Sequence, residues 1–205
     1  MGMTRGRRMG WALFFAGLIL FFLSIIAWGT CTTSWHSPSD DDSHGGMSWD
    51  NGAGGRTAYD GDLAYTTTNG QEHEFDEYGF TLGGDIPAAA VIVGFEIGIR
   101  GYSQGGGGKV RVALSWNGGS TIDMESGGMG RGVSSIVLPQ GEGNIAWCYG
   151  ELPNPPFIHT FTPDDVCDND FTVWCKADVY GSAVYVDAVY VRVFYYDETA
   201  TPNTP

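Results

Sequence analysis

Two groups of carboxylates are the side chains of this sequence best suited to binding an ion. Asp60 and Asp62 lie in the stretch YDGDL, and Asp187 lies in YVDAV near the other end of the chain. If these stretches belong to neighbouring first and last strands, the three carboxylates offer the hard oxygen ligands that calcium prefers. The alternative is that they are solvated loop acids. A second candidate calcium site is the acidic loop formed by Asp164, Asp165, Asp168 and Asp170.

Catalytic groups do not form a clear constellation in the sequence. His159 is a single histidine behind a proline-rich run, which is typical of a structural loop residue. Carboxylate pairs such as Glu74 and Asp76 carry little weight in a chain with 24 acidic residues. The glycine run 105–108 precedes a strand pattern rather than a helix, so it does not match a phosphate-binding loop. We therefore predict a non-enzymatic protein with no required cofactor.

Alternating apolar residues predict the strands that position these side chains. AVIVGFEIGIRGY at 90–102 and KVRVALSW at 109–116 each have one apolar face, and the glycines between them predict a hairpin. Strong period-two patterning of this kind indicates antiparallel sheets with one face buried. Further strands are predicted at 62–67, 74–82, 134–138, 145–149, 171–179 and 183–196. Eight or so antiparallel strands predict an all-β sandwich.

The order of these segments resembles a known architecture. The segments that carry the resemblance are, in order, DGDLAYTTT, HEFDEYGFTLGGDIPAAAVIVGFEIGIRG, VRVALSWNGG and the closing VYVDAVYVRVFYY. Residues 58–196 resemble the jelly-roll-type β-sandwich modules of bacterial cell-surface and bacteriophage structural proteins, most of which are uncharacterised. The resemblance implies a jelly-roll-like core and its turns, and it implies no particular chemistry.

Charge is divided unevenly along the chain. All 24 acidic residues follow Thr30, whereas Arg5, Arg7 and Arg8 precede it. An acidic domain lacks the basic face that phosphate contacts require, so nucleic acid is excluded as a partner.

The N-terminal segment predicts a membrane anchor. Residues 11–28 contain no charged side chain, and at about 1.5 Å per residue a helix of this length approaches the roughly 30 Å of a hydrocarbon core. Trp11 and Trp28 stand near the two ends, and the arginines before Trp11 predict a cytoplasmic N-terminus. Ala12, Ala16 and Gly17 are small enough to let the helix pack closely on another helix.

The predicted organisation has five parts. Residues 1–9 form a basic cytoplasmic N-terminus, 10–30 a transmembrane signal anchor, 31–55 an acidic Gly/Ser-rich stalk, 56–197 the β-sandwich, and 198–205 a flexible tail. The sandwich then lies in the periplasm or outside the cell. Three other readings of the N-terminus stay open: cleavage before Thr30, lipid modification of Cys31, and a prepilin-like processing site after Gly10.

The cysteines are candidates for a disulfide in an extracytoplasmic domain. We favour a Cys148–Cys167 bridge, which would hold the proline-rich loop 151–166 against the sandwich and contribute about 3 kcal/mol. Cys148–Cys175 is the alternative pairing, although Cys175 alternates in register with apolar residues and reads as a buried thiol.

These features favour a membrane-anchored structural or docking element, for example an accessory subunit that contacts other membrane proteins. One alternative is a carbohydrate-binding module, which would require a flat, exposed row of aromatic side chains. Of the tryptophans in the predicted domain, Trp116 and Trp147 are expected in the core. A pilin-like filament subunit is a further alternative.

Overall fold

The computed structural model is a sandwich of two antiparallel β-sheets, and it describes residues 30–42, 49–123, 133–153, 159–179 and 183–197. Its strands are β1 (Cys31–Thr32), β2 (Asp40–Asp42), β3 (Ala64–Thr66), β4 (Glu72–Asp76), β5 (Ala90–Ser103), β6 (Lys109–Ser115), β7 (Ser134–Val137), β8 (Ala146–Pro153), β9 (Thr172–Asp178) and β10 (Val184–Asp197). The first sheet has the order β1-β10-β5-β8, with β3 also beside β10, and the second has the order β2-β4-β9-β6-β7. The predicted antiparallel β-sandwich is confirmed.

Strands β5 and β10 form the centre of the first sheet. Each has 14 residues, and the two pair along almost their full length. Ile97 lies opposite Val191 and Ile99 lies opposite Val189, and all four side chains are fully buried. The alternation in the sequence therefore separates a core face from an outer face, as period-two patterning requires.

The core lies between the sheets. Phe95 of the first sheet stacks on Phe171, which immediately precedes β9, with ring centroids 5.6 Å apart. Phe75 of β4 and Leu114 of β6 are fully buried in the same cluster. Burial of a side chain of this size is worth about 1.5–3 kcal/mol, so the two sheets stabilise each other.

The predicted hairpin between β5 and β6 is wrong, because these strands belong to different sheets. The intervening glycines carry the chain from one layer to the other, and Gly106 and Gly107 have φ values of 79° and 76°. Such left-handed conformations suit glycine, which has no Cβ to clash. The same glycine run can thus connect two strands as a hairpin within one sheet or join strands of two different sheets, and the local sequence does not distinguish these connections.

The stretch expected to be a stalk is also part of the sandwich, at least over its described residues. Cys31 pairs with Tyr195 at the edge of the first sheet, and His36 forms a bridge with Val191. Residues 40–42 pair with β4 in the second sheet. Trp49 is buried, with 2% of its surface exposed. Backbone pairing and one buried indole therefore join this polar segment to the domain.

Residues 10–29 of the predicted membrane segment 10–30 lie outside the described residues, as does the predicted tail 198–205. The same is true of the predicted helix-packing residues Trp11, Ala12, Ala16, Gly17 and Trp28. Within the described ranges, no helix is long and apolar enough to cross a membrane.

The structure has no Cys148–Cys167 disulfide, since both residues carry reduced thiols. Cys148 lies opposite Ile99 on the core side of β8. Cys167 instead ends a short helix, α1 (Pro163–Cys167), which packs against β5. Burial, together with the charges of Asp85 and Asp164, raises the pKa of Cys167 to about 11. Cys175 is fully buried, and burial raises the pKa of its thiol strongly.

Candidate functional site

The outer face of the first sheet carries a concentration of aromatic side chains. Directly opposed residues in antiparallel strands point to the same side, so the register of β8, β5 and β10 defines this face. Tyr149 and Tyr190 both lie opposite Gly98, and Trp147 lies opposite Arg100. We use the name outer aromatic face for the side chains of Trp35, Trp147, Tyr149 and Tyr190 with their neighbours Tyr59, Arg100 and Arg192.

Gly98 provides the floor of this face. A Cβ atom at Gly98 would lie 3.3 Å from ring atoms of both Trp147 and Tyr149, so the two rings lie directly over the glycine. Their planes are within 13° of parallel, and their centroids are 6.4 Å apart. The Tyr190 ring is 4.9 Å from that of Trp147. The lack of a side chain in the middle of β5 therefore lets the two rings of β8 lie low on the sheet, with the Tyr190 ring of β10 packed beside them.

Trp35 extends the ring cluster from the N-terminal side. Its ring centroid is 5.7 Å from that of Tyr149, although the two residues come from opposite edges of the sheet. The backbone hydrogen bond from His36 N to Val191 O, 2.9 Å long, holds this segment beside β10. Tyr149 is 55% exposed, and Trp35, Trp147 and Tyr190 are half-buried. The face thus presents indole and phenol rings to solvent on a fixed β-sheet base.

Arg192 places a fixed guanidinium group beside these rings. Its Nε and Nη2 donate to Oε2 of Glu96 at 2.6 and 2.5 Å, and Glu96 lies directly opposite it on β5. The guanidinium carbon is also 4.7 Å from the ring centroid of Trp35. A cation held over an indole and paired with a carboxylate is well oriented, while its remaining N–H groups can still donate to a ligand.

A second guanidinium, that of Arg100, is held by Asp187. Asp187 occupies a β-bulge in β10, where the register shifts between Val186 and Ala188, and its carboxylate is almost fully buried. Its Oδ2 accepts hydrogen bonds from Arg100 Nη1 and from the backbone N–H of Tyr59, the latter at 3.1 Å. Burial alone would lower the pKa of Arg100, but the hydrogen bond and charge of Asp187 raise it.

Tyr59 covers the Arg100 guanidinium and is itself the most exposed large hydrophobic side chain of the described residues, at 73%. The Arg100 guanidinium carbon lies 3.8 Å from the Tyr59 ring centroid. The backbone of Tyr59 has a φ of 70°, a left-handed conformation that is unfavourable for an aromatic residue. Its hydrogen bond to Asp187 helps to hold this conformation, and the ring is thereby presented outward.

The predicted calcium site is not formed by these residues. The sequence-based expectation that YDGDL and YVDAV are neighbours is confirmed, since β3 pairs with β10 and Tyr59 contacts Asp187. However, Asp187 is already paired with Arg100, and Asp60 Oδ1 accepts the backbone N–H of Asp62. Among the described residues, no group of three or more His, Cys, Asp or Glu side chains is arranged to hold a metal ion.

The second acidic group is used for local backbone capping. Thr162 and Asp165 form a reciprocal capping box at the start of α1, and Asp168 Oδ1 accepts the backbone N–H of Asp170. Asp165 Oδ2 also lies 3.2 Å from His159 Nε2. Burial alone would raise the pKa of Asp165, but hydrogen bonds from Thr162 and His159 lower it. His159 stacks on Trp116 with centroids 3.9 Å apart, which fits its predicted structural role.

One sequence match to a catalytic pattern also has a structural explanation. The stretch GYSQG at 101–105 matches the Gly-x-Ser-x-Gly pattern of serine hydrolases. In the structure Ser103 is the last residue of β5, and its side chain is fully buried. The next strand begins after the glycine crossing, so Ser103 is not on the exposed strand-to-helix turn that such a nucleophile occupies.

A stack of three tyrosines extends the face along the strands. Tyr65, Tyr185 and Tyr102 are register partners on β3, β10 and β5. The Tyr185 ring is 4.6 Å from that of Tyr102 and 5.5 Å from that of Tyr65. Burial, the charge of Glu142 and the proximity of Tyr185 raise the pKa of Tyr102. Tyr102 is buried, with 6% of its surface exposed, and Tyr65 and Tyr185 are half-buried, so the accessible rings at this end of the sheet are those of Tyr65 and Tyr185.

Sequence reasoning missed the outer aromatic face for two reasons. Trp35 lies in the predicted stalk, and Trp147 was expected in the core, whereas the structure places it on the outside of β8. A signal was present in the sequence: Trp147 and Tyr149 alternate on β8, while Glu96, Gly98 and Arg100 alternate on β5. Only the register between the strands shows that these positions meet.

Comparisons with known proteins add little. No protein-family model matches the chain, and no curated protein matches it. A solved structure with similarity to it is the C-terminal CBM6 of LamC, a marine laminarinase from Zobellia galactanivorans. The identity is 11%, the match covers 80% of this chain and 98% of that one, and the TM-score is 0.40. We infer no ligand from a similarity of this size.

Proposed function

We propose that this protein is a non-enzymatic carbohydrate-binding module that takes sugar rings on the outer aromatic face. The observation that carries the proposal is a cluster of four solvent-accessible rings, of which two lie low over Gly98 and two pack beside them: Trp147 and Tyr149, with Trp35 and Tyr190. A carbohydrate-binding module needs aromatic rings that a sugar can reach, and Tyr149 is 55% exposed while the other three rings are half-buried. Trp147, Tyr149 and Tyr190 lie on β8 and β10, and a backbone hydrogen bond from His36 to β10 holds the segment that carries Trp35.

The chemistry of the face suits sugars. The C–H groups on one side of a pyranose ring pack against an aromatic ring, while its hydroxyls need directional hydrogen-bonding partners at the rim. Arg192 and Arg100 supply oriented N–H donors beside the rings, and Glu151, exposed next to Glu96, supplies an acceptor. Because ion pairs and strand pairing already position these groups, binding would require little reorganisation.

A location at a membrane, with the domain outside the cytoplasm, is part of the same proposal. It rests on the uncharged segment 11–28 and on the arginines that precede it. Since the sandwich already includes residues from Cys31 onward, an anchor ending near residue 30 would hold the domain close to the bilayer, without the intervening stalk.

A docking role within a larger membrane complex is the second candidate function. It is favoured by the small residues Ala12, Ala16 and Gly17 in the apolar segment, which suit close packing against another helix. In that case a protein surface, and not a sugar, would cover the outer aromatic face.

Affinity electrophoresis on a panel of soluble polysaccharides tests the proposal. We expect at least one polysaccharide to retard the protein, and the double variant Trp147→Ala, Tyr149→Ala to lose at least about tenfold in affinity, because stacked aromatic residues usually dominate such contacts. Val137→Ser is the matched control, since Val137 is 56% exposed on the edge of the second sheet. Equal retardation of the double variant and the control would contradict the proposal, provided that circular dichroism shows both to be folded.

A further inference from the structure

The length of the outer aromatic face indicates the size of the ligand. Along β5, outward positions run from Glu96 through Gly98 and Arg100 to Tyr102. Six residue steps of a strand span roughly 20 Å. Beyond Glu96 the surface opens into a cavity of about 250 Å³, whose lining includes Gly94, Glu151 and Phe194. A surface of this length exceeds a single sugar ring several times over.

The charges on the face indicate the chemical class of the ligand. Arg100 is paired with Asp187, and Arg192 is paired with Glu96. Glu151 lies opposite Glu96 and is exposed. Two guanidinium groups thus stand among three carboxylates, in a chain whose net charge is −14. An anionic polymer would gain no net attraction here and would be repelled by the domain as a whole.

We infer that the ligand is an uncharged glycan chain that lies lengthwise along β5, with Arg100 and Arg192 acting as hydrogen-bond donors to hydroxyls. This inference rests on the proposed function and specifies its substrate class. The Trp147 and Tyr149 rings over Gly98 contact one part of the chain, and the half-buried rings of Tyr65 and Tyr185, supported from below by buried Tyr102, contact another.

Calorimetry with matched oligosaccharide series tests the inference. The neutral series consists of gluco- and manno-oligosaccharides of increasing length, and the acidic series consists of oligogalacturonates of the same lengths. We expect affinity for a neutral series to rise by at least about tenfold from the disaccharide to the hexasaccharide, since only the longer chain reaches both groups of rings. Binding of the neutral ligand should change little with salt, because no net charge is neutralised.

Two variants separate length from charge. Tyr65→Ala, on the short edge strand β3, should weaken binding of the hexasaccharide by about fivefold and leave the disaccharide unaffected. Glu151→Lys adds a positive charge beside the rings and should create measurable, salt-sensitive binding of oligogalacturonate, which the wild type does not bind. A melting curve for each variant controls for folding.

The outcomes separate the two proposals. Stronger binding of the acidic series, or equal affinity for disaccharide and hexasaccharide, would overturn the inference while leaving a sugar-binding function in place. A complete lack of binding to either series and to the polysaccharide panel, together with stable capture of a protein on this face, would overturn the proposed function as well.

Discussion

Replacing Asp187 by Asn should test whether the buried ion pair organises the outer aromatic face. The Asp187 side chain is 3% exposed and that of Arg100 is 12% exposed. Asparagine keeps the shape and one acceptor oxygen but removes the charge that compensates the guanidinium. The substitution therefore leaves a poorly solvated cation under the Tyr59 ring.

The expected loss of stability follows from this burial. Removing one partner of a fully buried pair costs about 3–5 kcal/mol. Arg100 retains some contact with water, and the Asn oxygen still accepts one of the two hydrogen bonds, so we expect about 2–3 kcal/mol. For a domain of this size that corresponds to a fall in Tm of roughly 5–10 °C.

Calorimetric melting is the assay, with Asp178→Asn as the matched control. Asp178 pairs with Arg111 on the second sheet, and its side chain is 15% exposed against 3% for Asp187, so its loss should cost less than that of Asp187. The second variant Asp187→Asn, Arg100→Met removes both charges and should recover part of the stability, which gives a coupling energy for the pair. A Tm of Asp187→Asn within 2 °C of the wild type, or no coupling in the double variant, would refute the reasoning.

Four further predictions follow from other contacts. Cys148 and Cys167 should be recovered unlinked in non-reducing peptide maps, and Cys167, whose pKa is about 11, should be alkylated at pH 8 about a hundredfold more slowly than in the unfolded chain. Gly98→Val should abolish the retardation by polysaccharide and lower the Tm, because the added carbons meet the Trp147 and Tyr149 rings above the glycine. An unchanged affinity would contradict the position of these rings over Gly98. Replacement of residues 11–28 by polyleucine should leave sugar binding intact, since any apolar span supplies membrane partition; loss of a co-purifying complex would favour the docking role. The pKa of Asp165 is lowered in the folded protein, so its contribution to the free energy of unfolding is complete above about pH 4 and is lost as the pH falls through the folded-state pKa. The Tm of Asp165→Asn should therefore fall less than the Tm of the wild type when the pH is lowered from about 5 to about 3.

The sandwich class and its longest strands were predictable because their signal is local. The apolar alternation of AVIVGFEIGIRGY corresponds to β5, and that of VYVDAVYVRVFYY corresponds to β10. The boundary after Asp76 was less clear, since the predicted strand continued to Leu82. In the structure Glu77 and Gly79 adopt φ values of 51° and 67°, which end the extended backbone.

The candidate site depended on information that no single segment contains. The rings of Trp147 and Tyr149 lie over Gly98, and that of Trp35 reaches Tyr149, only because β1, β10, β5 and β8 have one particular order and register. Proximity of Asp187 to the YDGDL loop was inferred correctly, but its pairing with Arg100 was not, because the bulge that turns Asp187 has no obvious sequence marker. The disulfide was predicted because it would hold the loop 151–166 against the sandwich, but Cys148 lies on β8 and Cys167 ends α1, and the two remain unlinked.

The pairing of β1 with the end of β10 has a consequence for how this domain can be joined to other proteins. Cys31 lies opposite Tyr195, so the first and last described residues, Thr30 and Asp197, emerge at the same end of the first sheet. A domain whose ends are adjacent can be inserted into a loop of a host protein, or circularly permuted, with a short connecting peptide. The outer aromatic face would keep the same orientation relative to the attachment point whichever end carried the fusion.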